Sequence, residues 1–202
     1  MTRKTKNDEE IADHGKQVVQ GHHHRGKSSE SLLNKEAILA ALRLEPGQTV
    51  LDAGCGNGYM SKEFSIRVGS SGKVFALDPD VIGIAALQKE TSGTNIFAMV
   101  GDITAPTDFP PFSFDLIYLS TVVHGFSPIQ FKGFATEVER LLAPGGRLAI
   151  VEIVKSDTPF GPPQSLRFSP EDLKKALAFP AQETVEVGEY FYLQIFGNPV
   201  EK

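Results

Sequence analysis

The chain has one cysteine, Cys55, and no tryptophan among its 202 residues. A single cysteine excludes an intramolecular disulfide and a cysteine-cluster zinc site, and it agrees with a reducing, cytoplasmic setting. Positive charge is not in excess either. Twenty basic residues stand against 25 acidic ones, a formal net charge of -5, which gives no electrostatic footprint for duplex nucleic acid or an anionic membrane surface. Nowhere do about eighteen apolar residues run uninterrupted, so no membrane span is expected. The N-terminal stretch MTRKTKNDEEIADHGKQ lacks the apolar core of a secretion signal. No internal repeat recurs at a period of about 20 to 50 residues, which excludes solenoids and propellers.

What is present suffices for one core. With 41% hydrophobic residues the chain has the length and composition of a single domain. Residues 1–28 are polar, broken by Gly15, Gly21 and Gly26, and read as a flexible N-terminal arm or lid before a domain over 29–202. From SSESLLNKEAILAALRL onward, helical spacing of Leu32, Leu33, Ile38, Leu39 and Leu42 predicts a helix capped by Ser29 or Ser31. Strand and helix signals then alternate: TVLDAG, YMSKEFSIRVG, KVFALD, VIGIAALQKETSG, NIFAMV. The loop TAPTDFPPFS interrupts them, followed by FDLIYLS, SPIQFKGFATEVERLLA and GRLAIVEIV. Strands spaced by helices imply right-handed crossovers and a doubly wound, mostly parallel α/β sheet. Ser169-Pro170 reads as the start of a last helix, and ETVEVGEYFYLQIF as a hairpin adding an antiparallel edge.

The segment TVLDAGCGNGYMS places Gly54, Gly56 and Gly58 at alternate positions between a strand and a helix. Such a turn lets backbone N–H groups approach a ligand at the carboxyl edge of the sheet. The dinucleotide pattern G-x-G-x-x-G fails here, because its third glycine position is Tyr59, and this disfavours a nicotinamide-dependent oxidoreductase. Asp52, at the strand end, suits an ammonium group instead. Asp78 ends the second strand where an acid conventionally accepts ribose hydroxyls. In MVGDIT, Asp102 ends the third strand, placed to accept from an adenine amine, with Ile103 to pack on the ring. Amino acid, ribose and adenine together describe S-adenosylmethionine.

Through VLDAGCGNG, ALDPD, GDI, FDLIYLSTVVHGF and LLAPGGRLAIVEIV, the chain resembles the class I S-adenosylmethionine-dependent methyltransferases over about residues 30–196. Its proportions resemble the small branch near the quinone-biosynthesis C-methyltransferases. The resemblance implies a Rossmann-like seven-stranded sheet whose last strand is antiparallel. It also implies a cofactor set in which Asp52, Gly54, Cys55, Gly56 and Gly58 hold the methionine end. Asp78 with Pro79 would hold the ribose, Asp102 with Ile103 the adenine, and Ser120 and Thr121 would lie near the sulfonium. The short span between the fifth strand and the terminal hairpin leaves little room for a large substrate domain, so a small or medium-sized methyl acceptor is expected; a non-catalytic S-adenosylmethionine-binding protein is the alternative.

Several residues have a plain reading beside the functional one. Cys55 needs only to be small, and Asp115 reads as a strand-start residue. His124, in STVVHGF after the fourth strand, is a candidate general base, as histidine titrates near neutrality; a structural histidine is equally compatible. Arg167, in the loop GPPQSLRFSP, is read as a substrate-binding residue pairing an anionic group or as an exposed loop arginine. The cluster His22–His24, with His14 nearby, is read as part of a lid rather than a metal site, because adjacent histidines share no face. The apolar run YFYLQIF is readable as a buried edge or as a homodimer interface.

Overall fold

A computed structural model describes residues 29–199. The expected arm over 1–28 and its histidine cluster lie outside the described residues. After α1 (Lys35–Leu42) come β1 (Thr49–Ala53), α2 (Tyr59–Val68), β2 (Lys73–Asp78), α3 (Val81–Glu90) and β3 (Ile96–Val100). The chain continues through β4 (Phe114–Ser120), α4 (Pro128–Leu141), β5 (Leu142–Ile153), α5 (Pro170–Ala176), β6 (Ala181–Gly188) and β7 (Phe191–Gly197). The seven strands form one sheet in the order β3-β2-β1-β4-β5-β7-β6. β1 to β5 pair in parallel and β7 runs antiparallel to both its neighbours.

The apolar runs of the central strands follow from burial on both faces. Along β1, Val50 enters the core on one side with Ile38, Leu42, Phe64, Val68 and Leu87. Its neighbour Leu51 enters the other with Phe134, Val138, Leu141 and Leu173. α1, α2 and α3 therefore cover one face, and α4 and α5 the other.

Two sequence expectations are corrected. The first helix begins at Lys35 rather than after Ser29 or Ser31: Asn34 caps it, its side chain accepting from the Ala37 N–H at 3.0 Å. The Asn34 N–H donates to the Val187 carbonyl at 2.6 Å, so a tie to β6 selects the start, and Ser29 leads only into a 3-10 turn at Glu30–Leu32. The run YFYLQIF is not an interface, because β7 lies inside the sheet between β5 and β6 and is buried throughout.

The capping boxes at Ser127 and Ser169 start α4 and α5 at their Ser-Pro steps. The connection between β3 and β4 carries no helix. α4 presses against this loop instead: a Cβ at Gly133 would lie 2.1 Å from the Thr104 carbonyl oxygen. Glu137 on α4 pins the same loop, accepting from the Thr107 N–H at 2.8 Å and hydroxyl at 2.6 Å. Arg140 donates to Glu137 and to the carbonyls of Thr107 and Phe109.

Candidate cofactor and active site

The sheet order reverses between β1 and β4, and in open α/β sheets ligands bind outside the carboxyl ends of the strands at such a switch. Asp52, Asp78, Asp102 and Ser120 all fall at or just past those ends. The structure brings them to one sheet edge by parallel register: Asp52 pairs with Ala76 and Tyr118, and Asp78 with Val100.

The three loop glycines differ in what they do. At Gly54 a Cβ would lie 2.5 Å from the Val122 side chain, and at Gly58 2.5 Å from Leu87. Both therefore allow close packing. Gly56 has φ +54° and is exposed, with nothing within 4 Å of a Cβ there. Of the three it is the one with open space beside it. Cys55 is buried, which pushes its thiol well above the ordinary value; its N–H donates to the Leu77 carbonyl at 3.1 Å and its carbonyl accepts from the Gly58 N–H at 2.9 Å.

Asp52 is 3% exposed and accepts from the Ser61 hydroxyl at 2.5 Å. Burial raises its pKa to about 7; the Ser61 hydrogen bond opposes that rise and the like charge of Asp78 adds to it. A ligand ammonium would supply a charge of the sign the pair needs, so the residues fit the amino-acid end of S-adenosylmethionine. Asp78 accepts from the Gly56 N–H at 2.9 Å and the Asp80 N–H at 2.8 Å, one on each oxygen. A carboxylate has about four lone-pair positions, so a ribose diol can still be met. Pro79 is exposed and turns the chain into α3, capped by Asp80.

Asp102 is exposed, one oxygen accepting from the Thr104 N–H at 2.8 Å. Ile103 beside it is 4% exposed and packs in the core, which leaves little of its side chain to cover a ring. Thr121 has φ +56°, an uncommon conformation for a β-branched residue and one that concentrates at ligand sites. Its N–H donates to the Val151 carbonyl and its hydroxyl to the Ser120 carbonyl. The segment before α1 crosses the same edge: the Ser29 and Thr121 hydroxyls lie 3.3 Å apart, and Glu30 accepts from Asn57 at 2.8 Å.

His124 stands in a 3-10 turn, Val123–Gly125, just past β4. Its Nδ1 is 2.7 Å from Oε2 of Glu152, whose Oε1 accepts from the His124 N–H at 3.2 Å. Sequence reasoning missed Glu152. The available signal was a lone acid inside the apolar run RLAIVEIV. It also missed Tyr118, whose buried hydroxyl has no hydrogen-bond partner among the described residues.

The structure corrects the reading of Arg167. It is neither exposed nor presented to an anion: it is 6% exposed and donates to the carbonyls of Pro162, Val154, Ser156 and Phe160. Four of its five N–H groups are thus committed to holding the loop after β5. Asp115 accepts from the Thr49 N–H at 2.7 Å and is structural.

Residues 50–146 match a family model described as a methyltransferase domain. The crystal structure of a SAM dependent methyltransferase from Aquifex aeolicus matches with a TM-score of 0.73 and 26% identity, covering 84% of this chain and 92% of that one. The ubiquinone/menaquinone biosynthesis C-methyltransferase UbiE of Hahella chejuensis is 35% identical over 118 residues, 56% of this chain and 46% of that protein. The 2-phytyl-1,4-naphtoquinone methyltransferase of Thermosynechococcus vestitus is 32% identical over 126 residues, 61% and 54% respectively. The chain spans about half the length of the curated relatives it matches. Over residues 50–146 the chain carries a methyltransferase domain, and its fold is that of the class I S-adenosylmethionine-dependent methyltransferases. S-adenosylmethionine is accordingly its cofactor.

Proposed function

We propose that this chain catalyses methyl transfer from S-adenosylmethionine to a small or medium-sized acceptor, and that the acceptor is an apolar hydroxylated aromatic of the reduced-quinone kind. The observation that carries the transfer is the convergence of Asp52, Asp78 and Asp102 with the open Gly56 at the sheet switch. When bound, S-adenosylmethionine supplies an electrophilic methyl on a sulfonium. The chain contributes alignment, which is where much of the acceleration of such a displacement resides, and His124 as the base towards the acceptor.

Two observations support the acceptor. The names of two relatives specify quinone-type substrates. The segments that follow the carboxyl ends of β2, β4 and β5 also leave large apolar side chains in solvent: Val81 62%, Ile82 65%, Ile129 86% and Leu166 52% exposed. Exposed apolar side chains at that end of the sheet suit an apolar acceptor. The test is transfer of labelled methyl to naphthalene-1,4-diol and longer-chain analogues. Labelled product supports the reading; binding of the cofactor with no turnover on any acceptor leaves a binding protein.

A further inference from the structure

The structure assigns to Glu152 the role of positioning His124, holding it in the tautomer that a general base requires, and so points to an acceptor that must lose a proton to be methylated. This rests on the methyltransferase reading above. Glu152 lies in β5 between Val151 and Ile153 and is 0% exposed. Its face of the strand is the one carrying Leu148 and Ile150 into the α4 and α5 core. Burying a carboxylate there is unfavourable unless hydrogen bonds satisfy it, and an aliphatic residue would serve packing better.

Both of its oxygens turn to one residue. Oε1 receives the His124 N–H at 3.2 Å and Oε2 faces Nδ1 at 2.7 Å. This is a two-point clamp on a residue 28 positions away, fixing the backbone and the ring together. An ionised carboxylate only accepts, so Nδ1 carries the hydrogen and Nε2 carries the lone pair.

The proton account is simple. The acceptor hydroxyl gives its proton to Nε2, the electron pair left on the acceptor forms the new bond to the methyl carbon, and the pair of the breaking carbon–sulfur bond stays on sulfur, so that S-adenosylhomocysteine would leave. His124 then returns the proton to solvent, one per methyl transferred. An amine or thiolate that already holds its nucleophilic pair would need no such group, whereas a neutral phenol or quinol does.

The near-isosteric Glu152→Gln change separates positioning from packing. The two donors meet different oxygens of Glu152, and an amide offers only one accepting end, so in this geometry it cannot accept from both the His124 N–H and Nδ1–H. Keeping the backbone hydrogen bond places the amide N–H against Nδ1 and drives the ring hydrogen to Nε2. The experiment is nitrogen NMR on the full chain labelled at histidine, with the His124 resonances identified by their loss in His124→Gln. The expected result is a proton on Nδ1 in the wild type and its transfer to Nε2 in Glu152→Gln.

A wild type protonated on Nε2 overturns the proposal, and this reading stands even if Glu152→Gln does not fold. A Glu152→Gln protein that keeps the wild-type tautomer overturns it equally. With naphthalene-1,4-diol as the probe acceptor, kcat falls at least tenfold in Glu152→Gln while the Kd for S-adenosylmethionine is unchanged. An unchanged kcat, or an active acceptor with no ionisable hydrogen, contradicts the acceptor class. Failure to bind S-adenosylmethionine at all would be a different failure, that of the methyltransferase reading, and is measured separately.

Discussion

Asp52 has two consequences with opposite signs, one for binding and one for stability. Its pKa is 3.8 ordinarily and about 7 in the fold, chiefly because it is buried. Between those values the folded chain holds a proton that the unfolded chain does not, so stability falls as pH rises through this window. The loss is complete above about pH 7. Asp52→Asn should therefore melt higher than wild type at pH 8, by an amount on the order of a few kcal/mol at about 1.4 kcal/mol per pH unit. The same variant should bind S-adenosylmethionine poorly, because the ammonium loses its carboxylate partner. In the wild type, affinity should drop by up to about tenfold per pH unit below 7 as binding comes to require proton release. Calorimetry in buffers of different ionisation heat measures that release. The glycines divide similarly. Gly54→Ala should lower the melting temperature through its contact with Val122, while Gly56→Ala should cost about 1–2 kcal/mol for its positive φ and weaken cofactor binding.

The acids of the cofactor set were legible because each ends an apolar strand, where a charge has no structural reason to recur. Glu152 was not, since one acid in an apolar run does not reveal which residue meets it across 28 positions. Arg167 was misread because its burial depends on four carbonyls that converge only when the loop after β5 folds.

At the scale of elements, α4 and the loop after β3 form the support for Asp102. Replacing an interior helical glycine by alanine ordinarily gains up to about 1 kcal/mol. Gly133→Ala should instead destabilise by about 2 kcal/mol, as the new methyl meets the Thr104 carbonyl. A denaturant melt distinguishes the two signs. Burial alone would raise the Glu137 pKa, but hydrogen bonds from Arg140 and Thr107 outweigh it and hold the carboxyl below its ordinary value. Its contribution to stability is thus present above the unfolded-state pKa and lost as pH falls towards the folded one. Arg140→Ala should cost about 2 kcal/mol at neutral pH and flatten that acid limb. This is less than the roughly 3–5 of a fully buried pair, because the Arg140 side chain is 32% exposed. Strand and helix order, the loop after β3 and the Ser169-Pro170 helix start were readable from periodicity and capping residues. The start of α1 was not, because two serines competed with Asn34 and the tie of Asn34 to Val187 is tertiary.

For the whole molecule, the alternation of elements implied a parallel sheet, but only the pairing pattern places the reversal between β1 and β4 and inserts β7 inside the sheet. That insertion places the run read as a buried edge or an interface in the interior of the sheet. On its other side β5 pairs with β4, which brings Glu152 beside His124. The central claim is that this edge binds S-adenosylmethionine rather than a dinucleotide. Its most direct test is calorimetric titration of the full chain at pH 8 with S-adenosylmethionine, S-adenosylhomocysteine and reduced nicotinamide dinucleotide. The account predicts saturable binding of both sulfur nucleotides, weakened in Asp78→Ala, and no heat with the nicotinamide. Silence towards both sulfur nucleotides, or binding of the nicotinamide, would contradict it.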